Sequence, residues 1–132
     1  TNLHGTGGWI VVPMLRELGF EVITVKEQDE QDGRFPTVDS PNPENASALH
    51  KAIELAEEVG AEAVIGTDPD CDRMGCAAPR TLDTSGPWHV FNGNQLSALL
   101  ADWVCAQLEY YQDPSRQALE FAPRLGAPGA GQ

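Results

Sequence analysis

Basic residues are scarce in this chain: eight Lys and Arg stand against twenty Asp and Glu over 132 residues, a formal charge of −12. Electrostatic capture of nucleic acid or of an anionic membrane needs a basic face, so neither activity fits this balance. Long apolar runs are missing too, and nothing approaches the roughly 20 residues of a membrane span. No basic segment followed by an apolar one opens the sequence, so no secretory signal is visible. Cysteine is sparse. Cys71, Cys76 and Cys105 are odd in number, form no C-x-x-C pair and share no zinc spacing with the three histidines. They are expected to be small buried thiols of a reducing, cytoplasmic protein. Asn45-Ala46-Ser47 fits an N-glycosylation sequon but reads as a helix start.

What is present is globular. Apolar residues make up 41% and charged residues 21%, enough for one domain with a core that needs no staples. Val11, Met14, Leu15 and Leu18 form the inward stripe of a helix over 9–18, tolerant of Pro13 if that residue lies in the first turn and closed by a left-handed Gly19. Phe20 to Val25 alternates and is rich in β-branched residues, which predicts a strand. Residues 27 to 45 make a long irregular loop that opens on a solvated acidic run, and a loop of that length tends to be functional. A second helix over 45–59 carries Leu49, Ala52, Ile53 and Ala56 inward and stops at Gly60. Strands follow at 61–67, 74–78 and 88–91. Asn92-Gly93-Asn94-Gln95 can cap a third helix with Leu96, Leu99, Leu100 and Trp103 inward. The pattern decays after Asp113, so 113–132 is expected to be a poorly ordered tail. Helices alternating with strands predict an α/β three-layer sandwich, with a small mixed, four-stranded sheet between helices.

The stretch that carries chemistry is Asp68-Pro69-Asp70-Cys71-Asp72-Arg73. Three carboxylates at every second position, just after a buried strand, converge if the loop curls. Their repulsion then calls for a cation, and hard oxygen ligands suit Mg²⁺ or Ca²⁺. Arg73 sets a positive fork beside them, fit for a phosphate. An EF-hand is excluded, because position six would be Arg73 instead of Gly and position twelve Pro79 instead of Glu. A haloacid-dehalogenase-type phosphatase with Asp68 as nucleophile is an alternative, although that family wants Thr or Val where Asp72 stands. A solvated acidic turn is the plainer alternative. The opening His4-Gly5-Thr6-Gly7-Gly8 leads into a helix, where backbone amides can cradle an anion. It lacks the third glycine of a dinucleotide fingerprint, since position 10 is Ile10. A structural glycine cap and a satisfied structural His4 compete with a site role for His4, Gly5 and Gly7.

These features resemble the second domain of the α-D-phosphohexomutase superfamily, the phosphoglucomutase and phosphomannomutase enzymes. The resemblance rests on His4 to Gly8, Phe35-Pro36-Thr37-Val38 with Pro41-Asn42-Pro43-Glu44, Asp68 to Arg73, and Gly93-Asn94-Gln95-Leu96, in family order over residues 1–112. Trp88-His89-Val90-Phe91 looks closest to the phosphoglucomutase/phosphopentomutase branch that includes glucose 1,6-bisphosphate synthases. The resemblance implies a Mg²⁺ held by Asp68, Asp70 and Asp72, with Arg73 as a neighbouring phosphate-site residue. It also implies a phosphoserine that exchanges its phosphoryl group with a sugar phosphate through a bisphosphosugar. Cys71 replaces the family's usual Ala. No serine loop, sugar-selecting loop or C-terminal phosphate loop is present, and the strand that normally precedes His4 is absent. The implied partners are therefore the remaining domains of a parent enzyme and a hexose or pentose phosphate, with the chain alone expected to be inactive. A stand-alone, non-catalytic acidic metal-binding or interaction domain is the alternative from another class.

Overall fold

The computed structural model describes residues 1–81 and 86–112. In chain order these form α1 (Gly7–Glu17), a 3-10 turn (Lys26–Gln28), α2 (Ala46–Val59), β1 (Val64–Thr67), β2 (Met74–Pro79), β3 (Trp88–Phe91) and α3 (Gly93–Gln112). The chain divides into two compact units, Thr1–Leu96 and Ser97–Gln132, and the first carries everything that positions the site.

The first unit is built around α2. Leu49, Ala52 and Ala56 recur at helical spacing and are buried with Val25, Val64 and Ala77, and Ile53, Leu55, Trp88 and Val90 pack around them. Gly60 ends α2 at φ +70°, a left-handed cap that costs glycine nothing. The sheet has the order β1-β2-β3 and is antiparallel throughout, with Val64 opposite Ala77, Thr67 opposite Met74 and Ala77 opposite Val90. It is thus an α/β arrangement whose described strands number three, not four, and are not mixed.

The missing member is 20–25. That segment is extended and its burial alternates, Val22, Thr24 and Val25 turning inward while Glu21 and Ile23 face out, but it joins no ladder. Alternation fixes which side of a segment is buried; a ladder also needs a neighbouring strand, and among the described residues none lies beside it.

Helix α1 departs from expectation in two respects. It starts at Gly7, so Pro13 is its seventh residue and removes an interior hydrogen bond. Its half-buried apolar side chains are Val11, Val12 and Leu15, whereas Met14 and Leu18 are 49% and 55% exposed. Gly19 does take a positive φ, +92°. Helix α3 begins with a reciprocal cap. Gln95 N donates to Asn92 Oδ1 and Asn92 N donates to Gln95 Oε1, both at 3.0 Å. Leu96 is half-buried, but Leu99, Leu100 and Trp103 of the second unit are exposed instead of inward. Of the cysteines, Cys71 and Cys76 are half-buried and Cys105 is exposed, so none is fully enclosed. The tail expected over 113–132 lies outside the described residues.

Candidate metal centre

The acidic loop is the tip of the β1–β2 hairpin. Because Thr67 pairs with Met74, the six residues from Asp68 to Arg73 must reverse the chain. They do so around the Asp68 side chain. Its Oδ1 accepts the Arg73 amide at 2.9 Å and its Oδ2 accepts Arg73 Nε at 2.7 Å. The Cys71 amide returns to the Asp68 carbonyl at 3.0 Å, and Cys71 sits at φ +64°. A residue with a Cβ is disfavoured there by roughly 1–2 kcal/mol, so the loop holds Cys71 against its own preference.

This curl brings the three carboxylates together: one oxygen from each of Asp68, Asp70 and Asp72 lies within 4.8 Å of the others. Asp68 is buried while Asp70 and Asp72 are open to solvent. Burial works against ionising Asp68, but the Arg73 amide and guanidinium outweigh it and hold the carboxyl below the ordinary range. Asp72 is pushed the other way, by its hydrogen-bonding closeness to Asp68 and by the charges of Asp70 and Asp68. A cluster in which one acid is held ionised and its neighbour resists ionisation is short of positive charge. Three hard oxygens, one buried and two open, fit a small divalent cation that keeps part of its water shell.

Two other segments press on this hairpin. The glycine-rich lead-in to α1 lies directly against the acidic loop: the Thr6 amide donates to the Pro69 carbonyl at 2.8 Å, and a Cβ on Gly5 would fall 2.2 Å from Pro69 Cα. At Gly7 a Cβ would fall 2.3 Å from Thr67 Oγ1 and 3.4 Å from Cys71 Sγ. Only glycine permits this approach. The amides of His4, Gly5 and Thr6 donate to the carbonyls of Gln28, Asn2 and Pro69, so they are committed within the protein instead of facing an anion.

His4 is likewise engaged on both ring nitrogens. Nδ1 faces the Glu30 carbonyl at 3.0 Å, which can only accept, so Nδ1 carries the proton. Nε2 then accepts from Thr37 Oγ1 at 2.8 Å, Gln28 Nε2 donates to the same hydroxyl, and Thr1 Oγ1 donates to Gln28 Oε1. The buried His4 is a clamp on the 26–38 loop. Gln28, within a run expected to be solvated, is fully buried for the same reason.

The second buttress was not anticipated. Gly66 and Gly75 pair across β1 and β2, and this two-glycine rung leaves a notch that Pro43 fills. A Cβ on Gly75 would lie 2.0 Å from the Pro43 carbonyl oxygen, and one on Gly66 would lie 2.5 Å from Leu49 Cδ2. The available signal was a glycine inside each strand flanking the acidic loop, Gly66 two residues before Asp68 and Gly75 two residues after Arg73.

A β-hairpin gathers three carboxylates and an arginine at its tip, wedged between a glycine lead-in and a proline strap, in a domain of α/β class. The chain belongs to the phosphoglucomutase/phosphomannomutase family: residues 1–81 match its alpha/beta/alpha domain II. It is 38% identical over 120 residues to a phosphoglucomutase of Staphylococcus haemolyticus, covering 90% of this chain and 21% of that protein. It is 36% identical over 126 residues to a probable phosphomannomutase of Haemophilus influenzae, 95% of this chain and 25% of the relative. A human glucose 1,6-bisphosphate synthase is 42% identical over 106 residues, 79% of this chain and 17% of the relative. The chain therefore spans about a fifth of the curated relatives it matches. No solved structure matches it.

Proposed function

We propose that this chain is the cation-holding domain of a Mg²⁺-dependent sugar-phosphate mutase, an isomerase in which other domains supply the phosphorylated serine and the sugar phosphate. The reading rests on one observation above the rest, the convergence of Asp68, Asp70 and Asp72 within 4.8 Å at a hairpin tip. Those three side chains would hold the metal. When bound, it would neutralise charge on a phosphoryl group in transfer.

The chain's own residues do the positioning. Asp68 is locked by Arg73 and buried, so it fixes the depth of the site; Asp70 and Asp72 are open and complete it from the solvent side. The Arg73 side chain is 53% exposed, close enough to the cluster for its free guanidinium nitrogens to orient a phosphate. A net charge of −12 repels sugar phosphates, so the basic clamp on substrate belongs to other domains. The phosphoglucomutase and glucose 1,6-bisphosphate synthase relatives support a hexose phosphate as the substrate class; a pentose phosphate and a cytoplasmic setting complete the proposed reading.

Calorimetry tests the site directly. Mg²⁺ and Mn²⁺ are expected to bind the chain weakly, since a phosphate ligand is lacking, and Asp70→Asn is expected to lower the affinity roughly tenfold or more. Equal affinity in the two proteins removes Asp70 from the ligand set. The 132-residue chain is expected to leave glucose 1-phosphate unchanged, and turnover by it would contradict a nucleophile supplied from outside.

A further inference from the structure

Among the described residues, three buried side-chain atoms make no hydrogen bond: Asn2 Oδ1, Thr67 Oγ1 and Trp88 Nε1. The Thr67 hydroxyl stands at the base of the acidic loop. Thr67 is the last residue of β1 and is only 6% exposed, so water does not replace the missing partner from the surface. A hydroxyl buried without a bond is costly, and one beside a reactive group marks a place where an acceptor can be received.

The space in front of that hydroxyl is the side chain that Gly7 lacks. A Cβ there would lie 2.3 Å from Thr67 Oγ1 and 3.4 Å from Cys71 Sγ, so hydroxyl and thiol border the same point. The turn at the hairpin tip puts the sulfur there. With Cys71 at φ +64°, the carboxylates of Asp68, Asp70 and Asp72 gather together while the Cys71 side chain reaches α1. Helix α1 begins at this point as well. Its N-cap residue Thr6 makes no side-chain cap bond, and the first turn of a helix presents amides without intrahelical acceptors and a field that favours an oxygen. Cys71 is a free thiol and half-buried, so it is reachable from solvent.

We propose that Cys71 is an oxidation site for hydroperoxides, with Thr67 holding the product by donating its hydroxyl proton to the new oxygen. In this step the Cys71 sulfur takes the terminal O–H of the peroxide. An S–O bond forms as the O–O bond breaks, and the sulfur gives up two electrons. The other peroxide oxygen leaves as water or an alcohol, carrying the thiol proton. The product is a sulfenic acid, the reversible first stage of thiol oxidation. Neither Cys71 Sγ nor Thr67 Oγ1 is a ligand in the proposed cation site, so the oxidation stands or falls without it.

The other two cysteines supply the contrast. Cys76 lies within β2 with Sγ 3.9 Å from the Ala77 carbonyl, and burial pushes its thiol up, which slows attack on a peroxide. Cys105 is exposed on α3 and reports access alone.

The test treats the full chain with limiting hydrogen peroxide and saturating dimedone, which traps sulfenic acids, and reads each cysteine peptide by mass spectrometry. Cys71 is expected to be labelled roughly fivefold or more faster than Cys105, although Cys105 is the more exposed. Thr67→Val deletes the hydroxyl and keeps the branched shape that suits β1. It is expected to slow Cys71 labelling about fivefold, the weight of one hydrogen bond to the forming oxygen, whereas Thr67→Ser keeps the parent rate. Alkylation of Cys71 by iodoacetamide adds no such oxygen and is expected to be equal in all three proteins. Cys71 labelled no faster than Cys105 overturns the proposal. So does Thr67→Val labelled at the parent rate. A loss of labelling in Thr67→Val matched by an equal loss of alkylation also overturns it, because access and not the hydroxyl would then be the cause.

Discussion

Asp68 has no exposed surface, and its carboxylate is satisfied by a single residue, Arg73, through amide and guanidinium. Truncating Arg73 to Ala leaves a buried carboxylate with only the backbone donor. Arg73→Ala is expected to destabilise the chain by about 2 kcal/mol, toward the lower end for a charged hydrogen bond because the guanidinium is half in water. Chemical denaturation measures it, and a loss below about 0.5 kcal/mol would mean the pair is incidental. Two carboxylates of the 26–38 loop are held below the ordinary range, Glu27 by Lys51 and, more strongly, Asp32. Arg34 grips it with two side-chain hydrogen bonds, 2.9 and 2.7 Å, and holds its pKa at about 2 against an ordinary 3.8. A carboxyl depressed on folding stabilises above its ordinary value and ceases to do so as pH falls toward the folded one. The Asp32–Arg34 pair is thus intact at pH 4 and lost near pH 2. A carboxyl ¹³C titration of Asp32 with a midpoint near 4 would rule this out.

Elements were legible where a local rule decides them. The α2 stripe, Gly60, the Asn92–Gln95 cap and the hairpin around Asp68–Arg73 all follow from periodicity, a left-handed glycine or a turn, each settled within a few residues. The 20–25 segment was read as a strand because its pattern is one. Ladder membership is non-local, however, and no sequence window reports whether the neighbouring lane is filled. The gathering of Asp68, Asp70 and Asp72 was legible from spacing alone. The Gly66–Gly75 rung that carries Pro43 was not, since it joins three distant segments. That rung yields a sharp contrast. Gly75→Ala sets a Cβ on the Pro43 carbonyl and is expected to cost 1–3 kcal/mol by thermal unfolding. Gly33→Ala meets nothing within 4 Å and is expected to fall within about 0.5 kcal/mol of the parent.

Twelve uncompensated negative charges act on the entire chain. Monovalent salt screens such self-repulsion generally, whereas a divalent ion held by the hairpin also stabilises by binding the folded state alone. Mg²⁺ is therefore expected to raise Tm more than NaCl at matched ionic strength. In Asp70→Asn that excess should vanish, and an undiminished excess would move the effect to diffuse screening.

The contact of Gly5 with Pro69 gives the hairpin tip a mechanical partner. Main chain meets main chain there, with no side chain between to absorb a displacement. Tuning the proposed cation site is consequently a two-body problem: a tip lengthened by one residue would push the start of α1 back, and the His4 clamp with it.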